Sequence, residues 1–254
     1  MSVVLGACAT PAERADDIAA ASGFERGVVA GDPFAHLIFV KPGRSAKGDF
    51  HVYLEGDGTP WISRGRVAAD PTPRQPLMLE LMRLDPGPAL YLGRPCYFGL
   101  MRGCRPEHWT GGRYSEVVVD SMVAALRNAR RELGWTGDIS LLGHSGGGTL
   151  AMLMAPLLSE TQAVVTVAAN LDVGEWTRLH GYTPLSGSLD PAIVGPLPAR
   201  IRQLHVVGEK DRVVPPAITR PVVDRQDNVQ LLSFPSHDHH CCWEKEWRSI
   251  LDRL

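Results

Sequence analysis

The sequence predicts an α/β fold, with a mostly parallel central sheet and helices on both of its faces. Three observations predict it. Short apolar runs of strand length alternate along the chain with segments of helical period. One such run, Ile139 to Leu142, reads as a buried strand, as a parallel sheet covered on both faces requires. At 254 residues, 44% hydrophobic and 21% charged, the chain is long enough to bury such a sheet and is unlike a disordered segment.

The elements follow in order. Pro11 to Ala21 predicts a short helix with Ala15, Ile18 and Ala19 on one face, stopped by Ser22-Gly23. His36 to Val40 and Phe50 to Leu54 are apolar runs bounded by Gly, Pro and Lys, hence strands, and Glu55 to Trp61 is a turn-rich loop. Gln75 to Leu84 is helical and ends at Asp85-Pro86-Gly87. Ala89 to Leu92 is a strand. Tyr114 to Trp135 is the clearest helix: Val118, Met122, Leu126, Ala129 and Leu133 keep one face, and Arg127, Arg130 and Arg131 cover the other. After the strand Ile139 to Leu142 comes a small-residue helix, Thr149 to Leu158. Ala163 to Ala169, Leu204 to Val207 and Val229 to Phe234 complete the strands. Trp243, Trp247, Ile250, Leu251 and Leu254 form the apolar stripe of a last helix. Residues 1–22 are expected to be a tail and a short helix. Residues 23–254 are expected to be one domain with a cap-like insertion near 170–198.

Composition excludes several function classes. A net charge of −2 leaves no basic surplus for the phosphate backbone of nucleic acid. No run approaches the ~18 apolar residues of a membrane span. The five cysteines do not have the spacing of a zinc ribbon. Leu5-Gly6-Ala7-Cys8 reads like the end of a bacterial lipoprotein signal, yet Met1 to Ala7 has no Lys or Arg and no apolar stretch of roughly 7–15 residues. As written, the chain is therefore expected to be cytoplasmic and unacylated. A start further upstream would make it a periplasmic or membrane-anchored lipoprotein.

Chemistry concentrates at Gly143-His144-Ser145-Gly146-Gly147, which fits G-x-S-x-G between an apolar strand and a helix. A tight strand-to-helix turn throws the Ser145 hydroxyl out of the sheet, and glycines at 143 and 147 remove the clashes of so sharp a turn. The helix adds N-terminal N–H groups suited to a developing oxyanion. A phosphate-loop reading fails because no Lys follows the glycines, and Gly56-x-Gly58 lacks the third glycine of a dinucleotide site.

With these residues the sequence resembles the α/β-hydrolase family of serine esterases, in element order from about residue 35 to the C-terminus. That resemblance implies a base and an orienting acid in the order Ser, Asp or Glu, His, each on the loop after a strand. Val206 to Pro215 looks like the family's acid loop, which makes Asp211 the acid, with Glu209 and Asp172 as alternatives. The histidine loop after the last strand holds His237, His239 and His240. His239 is favoured because Asp-His-x-Cys-Cys-Trp looks like the triad-histidine segment of a subset of bacterial hydrolases, and His240 is the alternative base. A metal is the competing reading of these His and Cys residues. Adjacent residues rarely converge on one ion, however, and no distal ligand stands out, so no metal is expected. A third reading makes Cys241 and Cys242 small core residues at the start of the final helix.

The loop Leu54-Glu55-Gly56-Asp57-Gly58 stands where the family supplies its second oxyanion donor. The backbone N–H of Asp57, with Gly58 next, is expected to partner that of Gly146. Trp61, His144, Trp176 and Tyr182 are candidate pocket residues, the last two from the insertion. Arg94-Pro95-Cys96 and Trp109-Thr110…Arg113-Tyr114 also look like the bacterial subset. A Cys96–Cys104 disulfide would staple the Gly- and Pro-rich loop between them; the alternative is two free thiols. The resulting expectation is a cofactor-free serine hydrolase acting on a small-molecule ester. A thioesterase, amidase or acyltransferase with the same triad is the first rival, and a non-catalytic binding protein the second. Nothing in the sequence indicates an oligomeric state.

Overall fold

Eight strands form one sheet in the order β1-β2-β6-β3-β7-β8-β9-β10, in a computed structural model that describes residues 9–42 and 49–254. They are β1 (Glu25–Ala30), β2 (Ala35–Lys41), β3 (Phe50–Leu54), β6 (Ala89–Leu92), β7 (Ile139–His144), β8 (Thr161–Val167), β9 (Arg202–Gly208) and β10 (Val229–Phe234). Only β2 runs against the rest; every pairing from β6 to β10 is parallel. The predicted α/β class holds. The Cys8 motif lies outside the described residues.

Successive residues of a strand point to opposite faces, and both faces are filled. Val52, Leu54, Leu90, Leu141 and Val164 pack toward α3 (Glu116–Glu132) and α4 (Gly146–Met154). Tyr53, Tyr91, Leu142, Val165 and Val206 pack on the other face toward α2 (Leu77–Leu84) and α8 (Trp243–Leu251), where Trp243 and Trp247 are fully buried. Burying two such indoles contributes on the order of 2–3 kcal/mol each. α1 (Pro11–Ala21) starts with a capping box between Thr10 and Glu13. Its Ala15 and Ala19 are buried in this second cluster, so it packs on the same body as α2 and α8.

Several elements differ from the sequence expectation. β1 was not anticipated: it lies at the sheet edge and exposes most of its residues, so its apolar signal is weak. The helix expected from Thr149 begins at Gly146, because packing against β3 and β8 overrides the poor helix propensity of three glycines. The turn-rich loop Glu55 to Trp61 leads into a small exposed hairpin, β4 (Trp61–Ser63) with β5 (Arg66–Val67), which the sequence did not announce. The 170–198 segment contains α5 (Val173–His180) and the one-turn α6 (Pro191–Val194). Beyond β9 lies α7 (Pro216–Val223), whose interior Pro221 obscures its helical pattern. No helix among the described residues is long and apolar enough to cross a membrane.

Candidate active site

The site is assembled at the C-terminal ends of the parallel strands. β7 ends in the elbow, where Ser145 takes φ 52° and ψ −122°, a conformation that costs a non-glycine residue of order 1–3 kcal/mol. Surrounding contacts hold it there: the Ser145 N–H donates to Val167 O at 2.9 Å, and Ser145 O accepts from the Gly148 N–H at 3.0 Å. Glycine is a steric requirement at two neighbours. A Cβ on Gly143 would sit 2.2 Å from Gly147 O, and one on Gly147 would sit 2.1 Å from Leu54 O. The Gly146 N–H is the first of α4 and has no partner within the helix.

His239 lies between the serine and a carboxylate. Its Nε2 is 3.1 Å from Ser145 Oγ and its Nδ1 is 2.8 Å from Asp211 Oδ2. Asp211 Oδ1 also accepts from the Val213 and Val214 N–H groups, both at 2.8 Å, so the buried carboxylate is fixed by its own turn. A carboxylate on Nδ1 selects the tautomer with the proton there and leaves the Nε2 lone pair facing the hydroxyl. The backbone of this loop is pinned as well: His144 Nε2 donates to His239 O at 2.8 Å. Burial, reinforced by the neighbouring His239, pushes His144 well down and keeps it neutral.

The alternatives fall elsewhere. His240 is exposed at the rim, with its ring 4.9 Å from that of His239. His237 is buried between Phe234 and Trp243. Glu209 is exposed and bound to Arg220 and Ser233. Asp172 caps α5 by accepting from the Glu175 N–H. Cys241 and Cys242 are not core residues. Their sulfurs are bonded to each other, and the residues are exposed and half-buried just before α8. Among the described residues no group of three His, Cys, Asp or Glu is disposed to hold a metal ion.

The turn after β3 runs beside the serine, and a Cβ on Gly56 would lie 3.4 Å from Ser145 Cβ. Gly58 has φ +65°, which lets the turn reverse. The Asp57 N–H is the oxyanion donor expected from the sequence, and its side chain has a role of its own. The Asp57 carboxylate accepts from Arg94 Nη1 at 2.5 Å, Arg113 Nη1 at 2.8 Å and the Tyr114 hydroxyl at 2.7 Å, while Asp57 O accepts from the Tyr97 hydroxyl at 2.9 Å. Burial alone would raise the Asp57 carboxyl, but Arg113, Arg94 and the Tyr114 hydroxyl hold it well below the usual carboxylate range. This carboxylate packs over the elbow, so that a Cβ on Gly146 would lie 2.0 Å from Asp57 Oδ1. A Cys96–Cys104 disulfide, with a Cα–Cα separation of 5.6 Å, braces the loop that carries Arg94 and Tyr97. Glu55, two residues before Asp57, is a buried acid as well. Its carboxylate accepts from the Gly56 and Met78 N–H groups, and burial pushes it up to about 7 despite these bonds.

Ser145 opens into a cleft of about 1220 Å³. Trp61, His144, Trp176 and Tyr182 all line it, as do Asp57, Gly58 and both His239 and His240. On one wall, the Trp176 and Tyr182 rings lie 5.2 Å apart. Trp176 Nε1 donates to Val213 O at 2.8 Å, tying α5 to the turn that holds Asp211. Such a wall suits an apolar or aromatic group beside a reacting polar centre.

Comparison with known proteins adds an independent line. The model of a family described as serine hydrolase (FSH1) matches residues 109–249, more than half of the chain, a span that includes Ser145, Asp211 and His239. No curated protein matches the sequence. Among solved structures, the chain is similar to Est1E from Butyrivibrio proteoclasticus, at 14% identity over 90% of this chain and 96% of that one, with a TM-score of 0.62. It is also similar to XC6422 from Xanthomonas campestris, described as an a/b serine hydrolase without a lid, at 13% identity over 91% and 94% of the two chains, with a TM-score of 0.56. Mouse alpha/beta hydrolase domain-containing protein 10 aligns at 14% identity over 90% and 96%, with a TM-score of 0.59. At these identities the likeness is one of fold.

Proposed function

The chain belongs to the serine hydrolase (FSH1) family, and from that premise we propose that it cleaves carboxylic esters through a Ser145–His239–Asp211 triad and an acyl-enzyme intermediate. The observation that carries this reading is the double contact of His239, 3.1 Å to Ser145 Oγ and 2.8 Å to Asp211 Oδ2. A serine hydroxyl is a weak nucleophile at neutral pH and needs a base within hydrogen-bond reach, oriented by a third group.

The steps follow from these positions. His239 Nε2 takes the Ser145 proton as Oγ attacks the ester carbonyl. The negative charge that develops on the carbonyl oxygen is bound by the N–H groups of Gly146 and Asp57. Asp211 holds the imidazolium in place without taking its proton. Collapse of the tetrahedral intermediate breaks the C–O bond, and the departing alkoxide leaves as alcohol with the proton from Nε2. A water then gives its proton to Nε2 and attacks the acyl-serine; collapse returns that proton to Oγ and releases the carboxylic acid. The aromatic wall of Trp176 and Tyr182 receives an apolar part of a small-molecule substrate.

A panel of p-nitrophenyl esters of rising acyl length, run beside a thioester and an anilide of the same acyl group, tests the reading. Esters are expected to turn over, with an initial burst of up to one nitrophenol per chain wherever deacylation limits the rate. An anilide or thioester preferred over every ester would reassign the reaction while keeping the triad.

A further inference from the structure

The cleft in front of Ser145 has an unbalanced charge. Arg14 from α1, Arg64 from the β4–β5 turn and Arg74 from the loop before α2 all line it, and all three are exposed. Arg14 Nη1 donates to the backbone carbonyl of Arg74, which places the Arg14 guanidinium beside the loop that carries Arg74. Among the described residues none of the three makes an ion pair, and the remaining segments, 1–8 and 43–48, contain no Asp or Glu to supply one.

The floor of the cleft does not compensate. Among the described residues, the only acidic ones lining it are Glu55 and Asp57. Asp57 is shared by two guanidiniums, those of Arg94 and Arg113, so that cluster is itself one charge positive. Glu55 is almost fully buried and turned to the N–H groups of Gly56 and Met78. The chain as a whole has a net charge of −2, so this concentration of cations in one concavity runs against the overall balance. A concave site lined by one sign of charge focuses its field and raises the local concentration of the opposite ion.

We propose that the substrate of this hydrolase is an ester bearing an anionic group, a carboxylate or a phosphate, which Arg14, Arg64 and Arg74 hold at the rim while the ester carbonyl meets Ser145. The inference rests on the esterase reading above and names the class of substrate for the same site. A guanidinium fork can pair with two oxygens of either anion, and the three exposed arginines are supplied by different elements. Each exposed pair contributes roughly two- to fivefold in affinity, so the three together give a preference of about tenfold over a neutral ester of the same shape.

The experiment compares matched esters: mono-4-nitrophenyl glutarate against 4-nitrophenyl pentanoate for an acyl-side anion, and 4-acetoxybenzoate against its methyl ester for an anion on the alcohol side. The readout is the ratio of kcat/KM, anionic over neutral, at low salt. In at least one pair the ratio is expected near ten and carried by KM. It should fall toward one in 1 M NaCl, where the Debye length is about 3 Å. It should fall likewise in the Arg14→Gln/Arg64→Gln/Arg74→Gln variant, whose changes are all on the surface, and hold in Arg131→Gln, an exposed arginine outside the cleft. A ratio at or below one in both pairs, or one that survives the triple change, overturns the inference even though neutral esters turn over. If no ester turns over, the esterase reading fails separately. Quenching of tryptophan fluorescence by glutarate, compared in the parent and triple variant, then decides whether the rim binds an anion: loss of binding in the variant supports the inference and equal binding overturns it.

Discussion

Replacing Asp57 with Asn isolates the buried charge cluster behind the elbow. Asn keeps the shape and one acceptor oxygen but removes the charge, so no cavity forms, and Arg94 and Arg113 lose the carboxylate they share. Both arginines are nearly inaccessible, at 2% and 5% exposure. Removing one partner of a buried ion pair costs about 3–5 kcal/mol, because the other charge is left without compensation. Here one carboxylate serves two cations, but the Asp57 side chain keeps 16% exposure, so some water relaxes the loss. We expect about 4 kcal/mol. For a chain of this size that lowers Tm by about 8–16 °C. The sign with pH follows from the depressed folded value of Asp57: its stabilisation is complete above the ordinary carboxylate range and disappears as pH falls through the lower folded value. The gap between parent and variant should therefore be full at pH 7 and close only in strong acid. Thermal melts at pH 7, with ester turnover measured below the transition, read both effects, since the same residue carries the proposed oxyanion N–H. A Tm within 2 °C of the parent would refute the reasoning that this cluster holds the turn.

Two further outcomes follow. His239→Ala should reduce turnover by about as much as loss of the serine, on the order of 10⁴–10⁶-fold, whereas His240→Ala at the rim should cost less than about tenfold; kcat of the two purified variants decides this. His36 and His205 are fully inaccessible in the core, and burial pushes both down to about 4; above pH 6.5 they are neutral in both states, and as pH falls from 6.5 to 4 the unfolded chain takes up the proton first, so each lowers stability by up to roughly 3 kcal/mol. Urea unfolding at pH 7 and 4.5 should show a smaller acid loss in His36→Gln and in His205→Gln than in the parent; equal losses would remove the histidines as the cause.

Part of the candidate site was legible because the signal around the serine is local. Ser145 could be read from a strand, two glycines and a helix within a dozen residues; Asp211 and His239 came from the family resemblance, which places an acid and a histidine on the loops after β9 and β10. The Asp57 cluster was not legible: its contacts span 37 and 56 positions in sequence, and nothing in an Asp-Gly turn announces two guanidiniums. Arg94 and Arg113-Tyr114 stood out only as motifs without a partner. α5 could have been found from its ends, since Asp172 caps its start and Gly181 closes it in the left-handed conformation, but Gly174 and Thr177 weaken its interior. β1 escaped because an edge strand needs no apolar run, only a partner to pair with, and β2 provides it.

The central claim is that Ser145 is an activated nucleophile, and covalent labelling with a fluorophosphonate probe tests it most directly. Such a probe phosphonylates a serine whose proton is being withdrawn by a base and leaves an unactivated hydroxyl untouched on the same timescale. Intact mass spectrometry with peptide mapping is expected to find one adduct per chain, on Ser145, with none in Ser145→Ala and labelling slowed by orders of magnitude in His239→Ala. An adduct mapped to another residue, or a Ser145→Ala protein that still labels and still hydrolyses ester, would contradict the account.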